Sequence, residues 1–238
     1  MYKLISLQWT TFSVIHIITI LLSLVIFYFL YLLLKNKNDK VKKIILFSLS
    51  LLGWGAILYN LFTTNNIYYD LPLQLCSINA ILLPFLVVTN NKVLGNVMPI
   101  MAVGAFGASI LNFGCDYSIF SFDFFFYYFP HLMEAFIPWL LVLFGKIKPE
   151  LKYIWKSVFL IFVFYNFAYI INLIIIKYTD ATPNYMFCIR PENKILEILW
   201  NICPYEYWYM YLTLPIIIVL CCVYNIKNFI YLLKRKCV

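Results

Sequence analysis

The sequence predicts an all-α membrane protein, a bundle of about seven transmembrane helices with the N-terminus outside and the C-terminus cytoplasmic. Three observations carry this reading. The 238 residues are 64% hydrophobic and only 12% charged, where a soluble domain has roughly 45 to 50% apolar and about 25% charged residues. Apolar runs recur along the whole length, each close to the roughly 20 residues a helix needs to cross the hydrocarbon core. The basic residues gather in alternate connections between those runs, the pattern that sets membrane topology.

Taken in order, the spans fall at about 12–34, 41–62, 72–89, 93–112, 123–144, 154–176 and 207–230, so the chain 1–238 reads as a single polytopic domain. The first is no cleavable signal peptide: its apolar run is too long, only Lys3 precedes it, and no small-x-small site follows. One set of connections holds fourteen cations: Lys35, Lys37, Lys40, Lys42, Lys43, Lys92, Lys146, Lys148, Lys152, Lys156, Lys227, Lys234, Arg235 and Lys236. The other holds four, Lys3, Lys177, Arg190 and Lys194. The cation-rich side is the cytoplasm. The formal charge of +8 is therefore a topology signal, not the basic face of a nucleic-acid-binding domain. Membrane lipids are the expected partners, and nucleic acid is not one. Abundant Ile, Lys, Asn, Phe and Tyr match AT-rich codons and point to the plasma membrane of a low-GC bacterium.

The fourth span carries Gly104 and Ala108, a small-xxx-small pair that lets backbones approach, and is expected to be a packed central helix. The longest connection, from Lys177 to Glu206, combines Pro183, Pro191 and Pro204 with apolar residues. A short interfacial helix at Lys194 to Trp200 is expected there, within a lid over an outward-facing cavity. Most of the Trp and Tyr near span ends, such as Tyr68, Tyr69, Trp208 and Tyr209, suffice as interfacial anchors. The seven cysteines show no metal-like CxxC repeat and cannot all pair, although one bridge among Cys115, Cys188 and Cys203 stays open. Neither a metal-ligand cluster nor a Gly-rich nucleotide loop is present, so no cofactor is expected.

Ionisable and polar groups inside spans are costly and are the default functional candidates. In the third span Cys76 and Asn79 are three residues apart and share a helix face. The fifth places Tyr127, His131, Glu134 and Pro138 on one face, with His131 about 12 Å below the outer end at 1.5 Å per residue. The sixth carries Tyr165, Tyr169 and Asn172 in its outer half, with Asn166 to one side. Three helices thus bring polar groups to one depth. Each member has a plain structural reading as well: a lone Cys is usually a small hydrophobe, and His16 in the first span reads as a hydrogen-bonded packing residue. Together, Cys and His at one depth suit acyl transfer, in which the imidazole takes the thiol proton and the thiolate attacks an ester carbonyl. Asn79, Asn172 or a tyrosine hydroxyl would donate to the oxyanion, and Glu134 would orient His131.

The segments Leu71-Pro72-Leu73-Gln74-Leu75-Cys76-Ser77-Ile78, Tyr127-Tyr128-Phe129-Pro130-His131 and Pro183-Asn184-Tyr185-Met186 resemble the YwaF family of bacterial integral membrane proteins over about residues 40 to 230. That family is related to transmembrane protein 164, an acyltransferase that moves fatty acyl chains between phospholipids. The resemblance implies Cys76 as the acyl-accepting nucleophile and His131 as its base, transferring an acyl chain from a phospholipid to a lysolipid or lipid-anchored acceptor. Many relatives carry His where this chain has Gln74, so a second-base role at that position is not implied here. Two rival classes stand beside this reading. One is a small transporter or channel with a polar route through the third, fifth and sixth helices. The other is a ligand sensor or assembly partner, for which the short basic loops offer no docking domain.

Overall fold

The computed structural model describes residues 8–10, 13–111, 117–192 and 194–226. Lys3, Cys115, Cys237 and the last part of the seventh expected span lie outside these residues. The elements in chain order are β1 (Gln8–Trp9), α1 (Val14–Lys35), α2 (Asp39–Thr63), α3 (Ile67–Asp70), α4 (Leu75–Thr89), α5 (Lys92–Leu111), β2 (Tyr117–Ser118), α6 (Phe122–Leu143), α7 (Ile154–Tyr178), α8 (Lys194–Ile202), α9 (Trp208–Tyr211) and α10 (Thr213–Tyr224). The molecule is all-α apart from the two-residue antiparallel pairing of β1 with β2, in which Gln8 faces Ser118 and Trp9 faces Tyr117.

Four helical stretches, Val14–Lys35, Asp39–Thr63, Phe122–Leu143 and Leu151–Tyr178, are long and apolar enough to cross a membrane. Leu75–Thr89, Lys92–Gly107 and Trp208–Tyr224 are apolar but shorter. The third expected span opens at Leu75 rather than 72, because Leu71 to Gln74 bend, with the Leu73 N–H donating to the Leu71 carbonyl at 2.7 Å, and bond to a distant loop. Local signals set the other starts. Ser13, Asn38 and Ser121 each cap a helix by accepting from a backbone N–H three residues on, at 3.1, 2.9 and 3.1 Å. The end of α6 is a Schellman turn: Gly145 takes φ +67°, while the Gly145 and Lys146 N–H groups donate to the Val142 and Leu141 carbonyls.

Helices α2, α4, α5 and α6 form the centre. α6 packs on α2, α4 and α5, α2 also packs on α4, and α7 and α10 pack on the far flank of α5. The buried faces are continuous, as in Leu132, Met133, Phe136, Ile137 and Leu140 of α6, while α1 turns Val14, Val25, Tyr28 and Phe29 outward. Large apolar side chains in such numbers on the outside need lipid as solvent.

Helices α2 and α4 approach closely at Gly53, whereas Gly104 of the expected pair in α5 meets no neighbour, and the Ala108 side chain lies outside the described residues. A Cβ placed on Gly104 meets nothing within 4 Å, because that face of α5 points outward beside exposed Val103. A Cβ on Gly53 would stand 2.6 Å from the Ala80 Cβ. Gly53→Ala must therefore push α2 from α4, and overpacking of this kind costs roughly 1 to 3 kcal/mol. A lowered melting temperature in the purified variant is the expected result; no change would mean that the seam yields freely.

Lysines mark one end of the bundle. There Lys92 bridges Glu150 at 2.9 Å, Lys152 reaches the same carboxylate at 3.4 Å, and Lys146 meets Asp39 at 2.5 Å. The hydrogen bond from Lys92 holds the Glu150 carboxyl below its ordinary range despite some desolvation. Beneath these pairs, wholly buried Asn96 accepts from the Glu150 N–H and from the Asn225 amide, each at 3.1 Å, tying α5 to the end of α10.

Candidate active site

At the opposite end, α2, α4 and α6 enclose a cavity of about 130 Å³. Cys76 and Ser77 enter it from the first turn of α4, and His131 and Glu134 from successive turns of α6. Gly53 and Ala56 form the wall of α2, small enough to leave the space open. Cys76 is half-buried, and Ser77 lines the cavity beside it. Gln74, at the N-cap of α4, makes no capping bond with its side chain. The first-turn N–H groups beside the thiol thus keep donor capacity that a Ser or Asp cap would consume.

His131 has a defined proton arrangement. Its Nδ1 lies 2.6 Å from the Tyr127 carbonyl oxygen, which can only accept, so Nδ1 carries the proton and donates. Neutral imidazole then leaves Nε2 bare, the form in which a histidine accepts a proton. The Tyr127 ring packs on the imidazole with centroids 4.8 Å apart and leans on Tyr117 at 5.6 Å. Prolines widen the polar inventory: lacking an N–H, Pro130 and Pro138 leave the Phe126 and Glu134 carbonyls without their helical donors, and Pro84 does the same for Ala80. Phe126, Glu134 and Ala80 all line the cavity.

Behind Cys76 and His131 sits a buried polar pair. Glu134 is 3% exposed and accepts from Asn79 Nδ2 at 3.2 Å, while Asn79 Oδ1 is buried without a hydrogen-bond partner among the described residues. The mouth is acidic and aromatic. Asp123 lines it, accepting from the Tyr59 hydroxyl at 2.8 Å, and Tyr59 stacks on Phe126 at 4.6 Å.

The structure brings Cys76, Asn79, His131 and Glu134 together, but not the polar residues of α7. Asn172 is wholly buried and holds Tyr185, accepting from its N–H at 2.9 Å and donating to its carbonyl at 3.0 Å. Asn166 donates to the Phe162 carbonyl and accepts from the Tyr207 hydroxyl, and Tyr169 stacks on Tyr207 at 4.2 Å. The α7 residues expected at the depth of Cys76 and His131 do not line this cavity: α7 packs on α5 and α10, and Asn166, Tyr169 and Asn172 engage Tyr207 and Tyr185 of the segment 179–207. Asp123, Asn60 and Ser77 were missed as lining residues. Only Ser77, adjoining the cysteine, carried a local signal for it.

Gln74 has a positioning role. It donates to the Asn184 carbonyl at 3.4 Å and accepts from the Met186 N–H at 2.9 Å, while the Tyr185 hydroxyl accepts from the Leu71 N–H at 3.0 Å and donates to the Tyr68 carbonyl at 2.7 Å. Two of the segments singled out in the sequence are thus one joined structure above α4. Cys188 and Cys203 are free thiols, so no bridge joins them, and Cys115 lies outside the described residues. No three His, Cys, Asp or Glu side chains gather for a metal ion among the described residues.

Fold and surface define an all-α membrane protein with a Cys/His-lined cavity inside its helix bundle. The chain matches the model of the TMEM164 family over residues 6–224 and belongs to that family. No curated protein and no solved structure matches it.

Proposed function

We propose that the protein is a membrane-embedded acyltransferase that moves a fatty acyl chain from a phospholipid to a lysolipid or lipid-anchored acceptor through a thioester on Cys76. The observation that carries this is the pairing of a thiol at a helix start with an imidazole whose Nδ1 is already committed, both lining one cavity. Membership of the TMEM164 family supports the same class of chemistry.

His131 Nε2 takes the Cys76 proton, and the thiolate adds to the ester carbonyl of the donor lipid. The oxyanion is met by the first-turn N–H groups of α4 and the hydroxyl of Ser77, which lines the same cavity. Collapse expels the lysolipid oxygen, which leaves with the proton from His131, and the acyl group stays on sulfur. In the second half His131 takes the proton of the acceptor hydroxyl, that oxygen attacks the thioester, and the thiolate recovers the proton. Glu134 and Asn79 hold the α4–α6 seam behind the reacting pair. Asn166, Tyr169 and Asn172 serve the loop instead.

On this reading the chain crosses the membrane seven times with its N-terminus outside. The lysine-rich end faces the cytoplasm of a bacterial plasma membrane, and the cavity works in the outer leaflet. The test is mass-spectrometric detection of acyl exchange between isotope-labelled phospholipid and lysophospholipid by the purified protein. Labelled acyl chains on the acceptor are expected; none, across several donors and acceptors and from well-folded protein, would sink the proposal. Flux into proteoliposomes that depends on Glu134 and ignores Cys76 would make the cavity part of a solute route.

A further inference from the structure

The seam between α2, α4 and α6 ends in a second cavity, of about 120 Å³, at the lysine-rich end. Lys42, Lys43 and Lys146 line it, with Asp39 as the single acid in the lining. Lys146 and Asp39 are paired at 2.5 Å, so the Asp39 carboxylate offsets one lysine. Lys42 lies 4.7 Å from the centroid of the Phe144 ring. Lys43 makes no ion pair among the described residues. Two positive charges are thereby left uncompensated around one small space.

The shape is as specific as the charge. Leu46, Val87 and Leu141 form a floor and are 1%, 2% and 3% exposed, so the cleft has a dry base that water fills poorly. Its rim is rigid: the Schellman turn at Gly145 fixes Lys146, and Asn90 caps α4 with φ 50° and adds a carboxamide. Ammonium groups held around one space repel each other, and an anion between them relieves the repulsion. Lysine, a compact point charge, suits a tetrahedral oxyanion that needs no fork-shaped partner.

We propose that this cleft binds the phosphate of a phosphomonoester, its three lysines holding the oxygens and Asn90 donating at the rim. The proposal does not rest on the acyl-transfer reading, and its test reads binding alone. The full-length protein is studied by native mass spectrometry with a diacylglycerol phosphomonoester lipid and with a zwitterionic phosphocholine lipid. Wild type is expected to retain the phosphomonoester lipid about tenfold more tightly, since each lysine near a charged headgroup is worth roughly fivefold. Lys43→Gln loses about fivefold of that preference, and Lys43→Arg keeps it. Lys37→Gln, at an exposed turn outside the cleft, leaves it unchanged. Lys43 is itself exposed, so its replacement spares the core. Inorganic phosphate that displaces the lipid at millimolar strength identifies a site open to soluble phosphate; lipid that resists displacement identifies a lipid headgroup site. Absence of preference in wild type, or equal losses in Lys37→Gln and Lys43→Gln, overturns the proposal.

Discussion

Acyl exchange is expected to fall to background in Cys76→Ser and by about 10² to 10⁴-fold in His131→Ala, the range that a positioned acid–base group supplies. Serine keeps the size of the cysteine and the donors around it, so the variant tests the sulfur and not the packing. Its hydroxyl gives up a proton far less readily than a thiol, and the single imidazole of this cavity is matched to the thiol. His131 is half-buried beside an existing cavity, so truncation to alanine enlarges that space without leaving a buried polar group orphaned. Both variants should melt near wild type. The covalent intermediate gives a second readout: intact mass after incubation with phospholipid gains one acyl group in wild type, hydroxylamine removes it, and Cys76→Ser never acquires it. Full exchange by Cys76→Ser would end the thioester mechanism.

The largest expected stability effect lies away from the cavity, at Asn172→Leu. Leucine keeps the branched shape of asparagine but leaves the Tyr185 N–H unpaired in a site that is 0% exposed at Asn172, and takes from the Tyr185 carbonyl one of its two donors, the Cys188 N–H at 3.2 Å remaining. The orphaned N–H costs about 1 to 3 kcal/mol and the bond lost from the carbonyl about 0.5 to 1.5, roughly 1.5 to 4.5 together, against a total stability of about 5 to 15. The loop 179–192, pinned by Asn172 and Gln74, should become cleavable by protease at concentrations that leave wild type intact. Exchange per folded molecule should fall far less than in Cys76→Ser. A loss as complete as that of Cys76→Ser, in protein that stays folded, would instead return Asn172 to the chemistry.

That contrast shows what could be read from residues alone. Helix ranges were legible because hydrophobic length and capping are local: 41–62 became Asp39–Thr63, and 123–144 became Phe122–Leu143. The common face of Tyr127, His131 and Glu134 follows from helical periodicity, and all three line the cavity. Neighbour relations were not legible. Nothing along the chain says that α7 packs on α5 and α10, so a stripe ending in Asn172 looked like part of the site when it holds a loop. Small residues misled in the same way, since a pair such as Gly104 and Ala108 permits a close approach without naming a partner, and Gly53 opposite Ala80 is where it occurs. Asp123 read only as the first residue of the fifth span until the fold set it at the cavity mouth.

The hydrogen bond from His131 Nδ1 to the Tyr127 carbonyl has a kinetic consequence. Under the proposed chemistry the imidazole has one nitrogen for proton traffic, and both half-reactions must use it. The leaving oxygen of the donor and the attacking oxygen of the acceptor then occupy the same place at different times. Exchange is serial, with parallel lines in double-reciprocal plots, and excess lysolipid competes with the donor for the empty enzyme. Each half-reaction is the other run backwards. The protein would impose no direction of its own, and net acyl flow would follow whichever lysolipid the surrounding membrane holds in surplus.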